Sequence, residues 1–317
     1  MFKDLKEDYK RDILNGVIIT ILFFLAFVII PFLGIIISVF VPLPILFYHQ
    51  KLGRVLCIFI TLIALTIAIC FLGPSQGALE IFLLIELGVI GLVFSDILQR
   101  NLSIEKTVAY SVFIILGVGA ILVYLYSSIK MVNPWHFVVQ QINESVNQAV
   151  RLYQGLGMSA EQRELFKKDV ADFLIRAFPS FIVVGTVLIV WMNLLLAKAL
   201  NKTGKIRLPE FGDLSTWQAP DILVWGVILG GLLLLSKGLT ISSIGLNMLI
   251  ICLCVFFFQG IAIVSYFFHK KNIPFFLRTL GYMLIVIQQL FMLIVIGVGL
   301  FDVWADFRRL KNRGYQI

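Results

Sequence analysis

The sequence predicts an all-α polytopic membrane protein with about nine spanning helices, or eight if one segment only re-enters, plus an external amphipathic helical hairpin. Three observations carry this. The chain of 317 residues is 60% hydrophobic and 14% charged, against roughly 25% charged in a soluble domain. Its apolar residues form continuous runs rather than alternating ones, which selects helices over a β-barrel. Its Lys and Arg residues lie almost entirely between those runs, where water or headgroups can meet them. The net charge of +8 therefore reads as membrane topology. No polar basic segment carries interleaved stacking aromatics, so no nucleic-acid partner is expected.

Taken in order, residues 1–15 mix Lys3, Lys6, Lys10 and Arg11 with Asp4, Glu7, Asp8 and Asp12. The apolar run behind them closes on no small-x-small cleavage site, so it reads as a retained anchor. Candidate spans follow at 13–30, 33–48, 55–72, 77–98, 108–127, 178–200, 222–236, 244–268 and 280–301. The second and seventh are short, and Pro42 and Pro44 predict that the second is kinked or spans only partly. Four cysteines, Cys57, Cys70, Cys252 and Cys254, fall inside these runs and read as small buried hydrophobes.

An N-terminus on the cytoplasmic side of an inner (plasma) membrane places Lys51, Arg54, Arg100, Lys106, Lys198, Lys202, Lys205, Arg207, Lys270, Lys271 and Arg278 in cytoplasmic loops. Nine crossings then leave Arg308, Arg309, Lys311 and Arg313 outside, against the same rule. Either one segment re-enters or the rule fails there.

The polar stretch 130–177 holds the hairpin. Asn133-Pro134 is a helix start, a cap followed by proline at the first helical position. Trp135, Val138, Val139, Ile142, Val146, Ala149 and Tyr153 recur at helical spacing. Gly155 and Gly157 interrupt the pattern, and Ser159-Ala-Glu-Gln162 resembles a capping box opening a second helix. The hairpin is either a structural flap at the interface or a lid over an external binding site. Residues 201–220, with Pro209, Gly212 and Pro220, read as a cytoplasmic linker. It divides a six-helix part, 1–200, from a three-helix part, 221–317, that ends in a basic tail.

Glu86 is the most informative single residue. An ionisable group at mid-bilayer costs on the order of 3 kcal/mol even on insertion scales, so it must face protein, a cavity or a partner. It either lines a cavity, with a proton-coupled role, or stays protonated and hydrogen-bonded to a neighbour. Gly88, Gly91 and Ser95 fall on the opposite face of the same helix, where small side chains let another helix approach closely. Gln259, Gln288 and Asn193 lie at similar depth in other runs. With Glu86 they make a candidate substrate-binding set, the alternative being amides that join helices.

Enzyme signals are weak. Gly73-Pro-Ser-Gln-Gly77 matches G-x-S-x-G in letters but forms a turn between helices, without the strand-turn-helix context that motif needs. His49 and His269 sit at helix ends near Lys residues. With no HExxH, P-loop or metal-ligand cluster, the expectation is no enzyme, no cofactor and no metal.

Two sets of residues carry family resemblances. Pro31-Phe-Leu-Gly34, Pro42-Leu-Pro-Ile45 and His49-Gln-Lys-Leu-Gly53 resemble the substrate-binding components of energy-coupling-factor vitamin transporters. Those are six-helix proteins with both termini inside, and the resemblance implies a small-molecule ligand and an energising partner. Their docking motif is AxxxA on the first helix; here Gly16 and Thr20 stand four apart. Trp217-Gln-Ala-Pro220, Phe258-Gln-Gly260, Gly299-Leu-Phe-Asp302-Val-Trp304 and Asp306-Phe-Arg-Arg309 resemble the YybS-like family of uncharacterised bacterial membrane proteins. The expectation is a lipid-embedded protein that binds or moves a small molecule. The alternative is a scaffold that assembles envelope proteins through its external hairpin and basic tail.

Overall fold

The computed structural model describes residues 2–29, 31–72, 78–152, 160–202 and 211–310. The turn 73–77, Gly155, Gly157, Ser159, Pro209 and the tail beyond Leu310 lie outside the described residues. Among the described residues there are twelve α-helices and one 3-10 turn. They divide into two compact units, Met1–Ala171 with Gly185–Glu210, and Asp172–Val184 with Phe211–Ile317.

The first unit contains α1 (Phe2–Ile29), α2 (Pro31–Ser38), α3 (Pro42–Leu52), α4 (Arg54–Leu72), α5 (Ala78–Leu98), α6 (Ile104–Ile129), α7 (Pro134–Leu152) and both ends of α8 (Ala160–Lys202). The second contains the middle of α8, a 3-10 turn at Leu214–Thr216, then α9 (Leu223–Leu234), α10 (Leu239–Lys270), α11 (Phe275–Ile287) and α12 (Gln289–Ala305).

Among the described residues each of the nine apolar runs is mostly helical, but fewer than nine are single helices long and apolar enough to cross a membrane. Six helices are long and apolar enough: Tyr9–Ile29, Arg54–Leu72, Ile81–Leu98, Ile104–Ile129, Glu164–Asn201 and Leu239–Lys270. The α11–α12 pair, bent by 100° at Gln288, makes a seventh if it is one broken span. α9 has 12 residues, about 18 Å of helix against a hydrocarbon core of about 30 Å. α3 is shorter still, at 11 residues.

The break in the second run follows from its prolines. In an unbroken helix the Leu43 N–H would bond the Val39 carbonyl, but it donates to Phe40 O at 3.0 Å, because Pro44 has no N–H to offer that oxygen. The orphaned Val39 carbonyl accepts from Asn193 Nδ2 at 2.7 Å. A backbone acceptor buried away from water needs such a partner.

The polar stretch 130–177 departs from the expected hairpin. α7 begins as read: Asn133 Oδ1 accepts from Trp135 N–H at 2.8 Å and His136 N–H at 3.4 Å. The second limb, however, is no separate helix. It is the start of α8, 43 residues long with Pro179 inside it. The Asn247 side chain of α10 bridges the site, accepting from Ser180 N–H at 2.7 Å and donating to Arg176 O at 2.7 Å. These two backbone groups are an i, i+4 pair flanking the proline. Arg176 itself donates to Ser242 Oγ and Ser243 Oγ.

Residues 211–220 are likewise no free linker, since they fold into the second unit. There α10 is held between α9 and α12 by glycines. A Cβ on Gly245 would lie 2.5 Å from Leu234 N and 2.7 Å from Gly230 O. One on Gly260 would strike Val295 O, and one on Gly299 would strike Phe256 O. These contacts give both neighbours an antiparallel register on α10. Cys57 and Cys252 are buried as expected, whereas Cys70 is exposed on α4.

Candidate functional site

A buried polar group lies about two thirds of the way along α10. Gln259 is 20 residues from one end of α10 and 11 from the other, about 30 Å and 17 Å. Its Nε2 donates to Asp302 Oδ2 at 3.1 Å, and its Oε1 accepts from Ala219 N–H at 3.1 Å. Asp302, in the last turn of α12, also accepts from Arg308 Nη2 at 2.9 Å. Both side chains of that ion pair are 0% exposed. Arg308 Nη1 donates to the carbonyls of Ser215 at 2.8 Å and Trp217 at 2.9 Å.

The local sequence explains how the arginine reaches this place. α12 stops at Asp306, whose φ of 39° is left-handed, a conformation that Asp tolerates better than most residues. The chain reverses there. Asp302 Oδ1 accepts from Phe307 N–H at 2.9 Å, and Asp306 Oδ1 from Leu310 N–H at 2.9 Å. Six residues after Asp302 the guanidinium thus folds back onto its carboxylate. On the other side, Asp213 caps the 3-10 turn through Ser215 N–H at 3.0 Å. That turn aims the Ser215 and Trp217 carbonyls at Arg308. An apolar jacket of Ala219, Val224 and Phe256 surrounds the group, with Trp217, Leu300 and Val303 packed against it.

Two segments outside the α-helices, 211–222 and 306–310, therefore end partway along an apolar helix. Exposed apolar side chains lie on both sides of that level: Ile241, Ile244, Leu229 and Leu232 towards one end, Leu290, Phe291, Leu293 and Ile294 towards the other. Asp213, Thr216, Asp221 and Arg309 are exposed at the level itself. Non-helical, charged backbone at membrane depth is stable where protein encloses it or where it lines a water-filled cavity.

A model of predicted membrane proteins, the family DUF2232, matches residues 18–303. The chain belongs to that family. A relative described as "Uncharacterized protein YybS" from Bacillus subtilis (strain 168) is 23% identical over 307 residues, covering 94% of this chain and 97% of the relative. No solved structure matches, and these comparisons do not show the likeness to energy-coupling-factor components. Trp217 to Pro220, Phe258 to Gly260, Gly299 to Trp304 and Asp306 to Arg309, which carry the resemblance to YybS-like proteins, are the stretches that meet around Asp302.

The anticipated site residues divide between the units. Gln259 is in the polar core. Gln288 is exposed at the α11–α12 break, seven residues from the Val295 that touches Gly260, so it does not converge with Gln259. Asn193 is fully buried, with its Nδ2 taken by Val39 O and Ile189 O. Gly88 lies against Thr61 and Leu65 of α4, and Gly91 against Ile45 of α3. Ser95 is buried and bonds Gly91 O of its own helix.

Glu86 is half-buried on α5, the span with the largest enclosed share. Its carboxyl points to α6, where a Cβ on Gly119 would meet only Glu86 Oε1, at 3.6 Å. Among the described residues no side chain hydrogen-bonds to it.

Sequence reasoning missed Asp302 and Arg308, one at the end of a run and one in a tail where charge is expected. It also missed His49. That side chain is 1% exposed and its Nε2 lies 2.8 Å from Asp96 Oδ1. Its Nδ1 is 3.2 Å from Gln99 Nε2. Arg54 also pairs with Asp96 at 3.2 Å, and Lys51 with Asp12 at 2.6 Å.

Proposed function

We propose that this protein binds and passes a small polar solute across the cell inner membrane, with its N-terminus cytoplasmic and no catalytic step of its own. The observation that carries the reading is the exposed charge of Asp213, Asp221 and Arg309 on segments outside the α-helices, partway along α10. Interrupted helices that meet at mid-depth are how many secondary transporters build solute sites. Asp302 and Arg308 neutralise one another inside the protein, so a solute need not compensate a net charge there, while the exposed Asp213, Thr216, Asp221 and Arg309 supply polar contacts. The cation-rich loops around Lys51 and Arg100 fit a cytoplasmic N-terminus.

The experiment is cysteine accessibility joined to native mass spectrometry. Thr216→Cys, in a background lacking the four native cysteines, is expected to react with a membrane-impermeant maleimide in sealed vesicles, and the purified wild-type chain is expected to retain a small solute. An unreactive Thr216→Cys together with a chain free of any solute would sink the reading.

A second reading, a scaffold for other envelope proteins, is favoured by apolar exposure where α6 turns into α7: Ile129 is 78% exposed, Met131 95% and Trp135 50%. Photo-cross-linking from residue 135 in intact membranes tests it. A single stoichiometric protein adduct supports the scaffold, and lipid adducts alone exclude it.

A further inference from the structure

We propose that the seam between α5 and α6 binds a small aromatic cation, its charge on the Glu86 carboxylate and its ring beneath Phe82, Tyr126 and Phe137. The site belongs to the first unit, whereas the polar core around Asp302 belongs to the second. On α5, Phe82 is four residues before Glu86, so the two share a helix face. On α6, Tyr126 is seven residues after Gly119, two turns further along the same face.

The seam therefore has a carboxyl and a bare glycine at one level. A Cβ on Gly119 would meet only the carboxyl oxygen, at 3.6 Å. An aromatic cover closes the seam about 6–10 Å away. In that cover the Phe82 and Tyr126 rings are 5.1 Å apart, Tyr126 and Phe137 5.0 Å, and Phe82 and Phe137 6.2 Å. Phe137 comes from α7, the amphipathic helix whose start Asn133 caps. The cover is thus a separate element laid over the end of the seam.

The chemistry selects the ligand. A carboxylate among apolar helices is stable only with a proton or a positive partner, and among the described residues no Lys, Arg or His supplies one. An anion would be repelled, and a neutral solute would gain nothing from the carboxylate, which would stay protonated beside it. A cation satisfies the carboxylate, while aromatic faces attract both its charge and its apolar body.

The test is calorimetric titration of the full chain in lipid nanodiscs with benzyltrimethylammonium, using benzenesulfonate as a ring of opposite charge. Saturable one-to-one binding of the cation alone is expected. Glu86→Gln is expected to weaken it by at least about ten-fold, a loss of about 1.4 kcal/mol. Phe137→Ala is expected to weaken it about three-fold or more, within the range of one cation–π contact. Should Glu86→Gln fail to fold, Gly119→Leu, which fills the seam, is expected to abolish binding. Equal affinity in wild type and the folded variants, equal binding of the sulfonate, or no saturable binding by the wild type would overturn the proposal.

Discussion

Arg308 has exchanged water for two backbone carbonyls and one carboxylate, all within 2.9 Å. Removing one member of a fully buried ion pair strands the other charge, at about 3–5 kcal/mol. Arg308→Met is therefore expected to lower the thermal midpoint of the detergent-solubilised protein sharply. Arg308→Met combined with Asp302→Leu is expected to cost clearly less than the two single changes summed; additive losses would show the charges to be uncoupled. The bridge beside Pro179 is weaker. Asn247→Ala leaves two backbone groups to find other partners, a loss of about 1–3 kcal/mol, checked by the same melting measurement. Gln259 was visible in the sequence because an amide amid apolar residues is conspicuous by itself. Asp302 and Arg308 were not, because their meeting depends on a backbone reversal at Asp306 that no periodicity announces. His49 escaped for a similar reason: its partner Asp96 is 47 residues away, and a histidine beside lysines looks interfacial.

Helices were legible wherever apolar length alone decided them, and less so where they break. Pro42 and Pro44 marked the interruption of the second run. The break at Gln288 has no proline or glycine beside it, so the ninth run looked continuous. The opposite happened in α8, where the polar stretch before residue 178 suggested a separate element, yet the helix runs from Ala160 to Lys202 with Pro179 inside it. At this scale the glycines of α10 and α12 set the tightest constraint. Gly299→Ala places a methyl on the Phe256 carbonyl and is expected to cost at least about 1–3 kcal/mol through overpacking. Gly185→Ala on α8 meets nothing within 4 Å and is expected to be neutral or to stabilise by about 0.5–1 kcal/mol through helix preference. Paired melting curves separate the two; equal shifts would mean that close helix approach is not what these residues provide.

For the whole chain, ion pairs fix which ends lie together. Lys51 with Asp12, and His49 and Arg54 with Asp96, gather the start of α1, the α3–α4 junction and the end of α5 at one end of the first unit. The Phe82, Tyr126 and Phe137 rings lie at the other ends of α5 and α6. Cysteines placed at Lys51 and Arg100 are expected to react with impermeant maleimide from one side of the membrane, and one at Gln140 of α7 from the opposite side. Labelling of all three from a single side would contradict this arrangement. The sequence marked a change near residue 200 from the spacing of apolar runs. It missed that Phe211 to Pro220 and the middle of α8 belong with the later helices, because that grouping rests on the contacts of Trp217, Arg176 and Asn247 rather than on composition.

The amide that closes the gap at Val39 has a consequence for biosynthesis. Asn193 is 154 residues downstream of the carbonyl it serves. A ribosome must therefore finish most of the polypeptide before the second hydrophobic stretch can satisfy its own backbone in lipid. Until then that stretch is an unfinished client, held by the insertion machinery or left open to quality-control proteases. Nascent chains cut short ahead of residue 193 should accordingly be cleared rapidly, and extension past it should mark the onset of persistence in pulse-chase labelling.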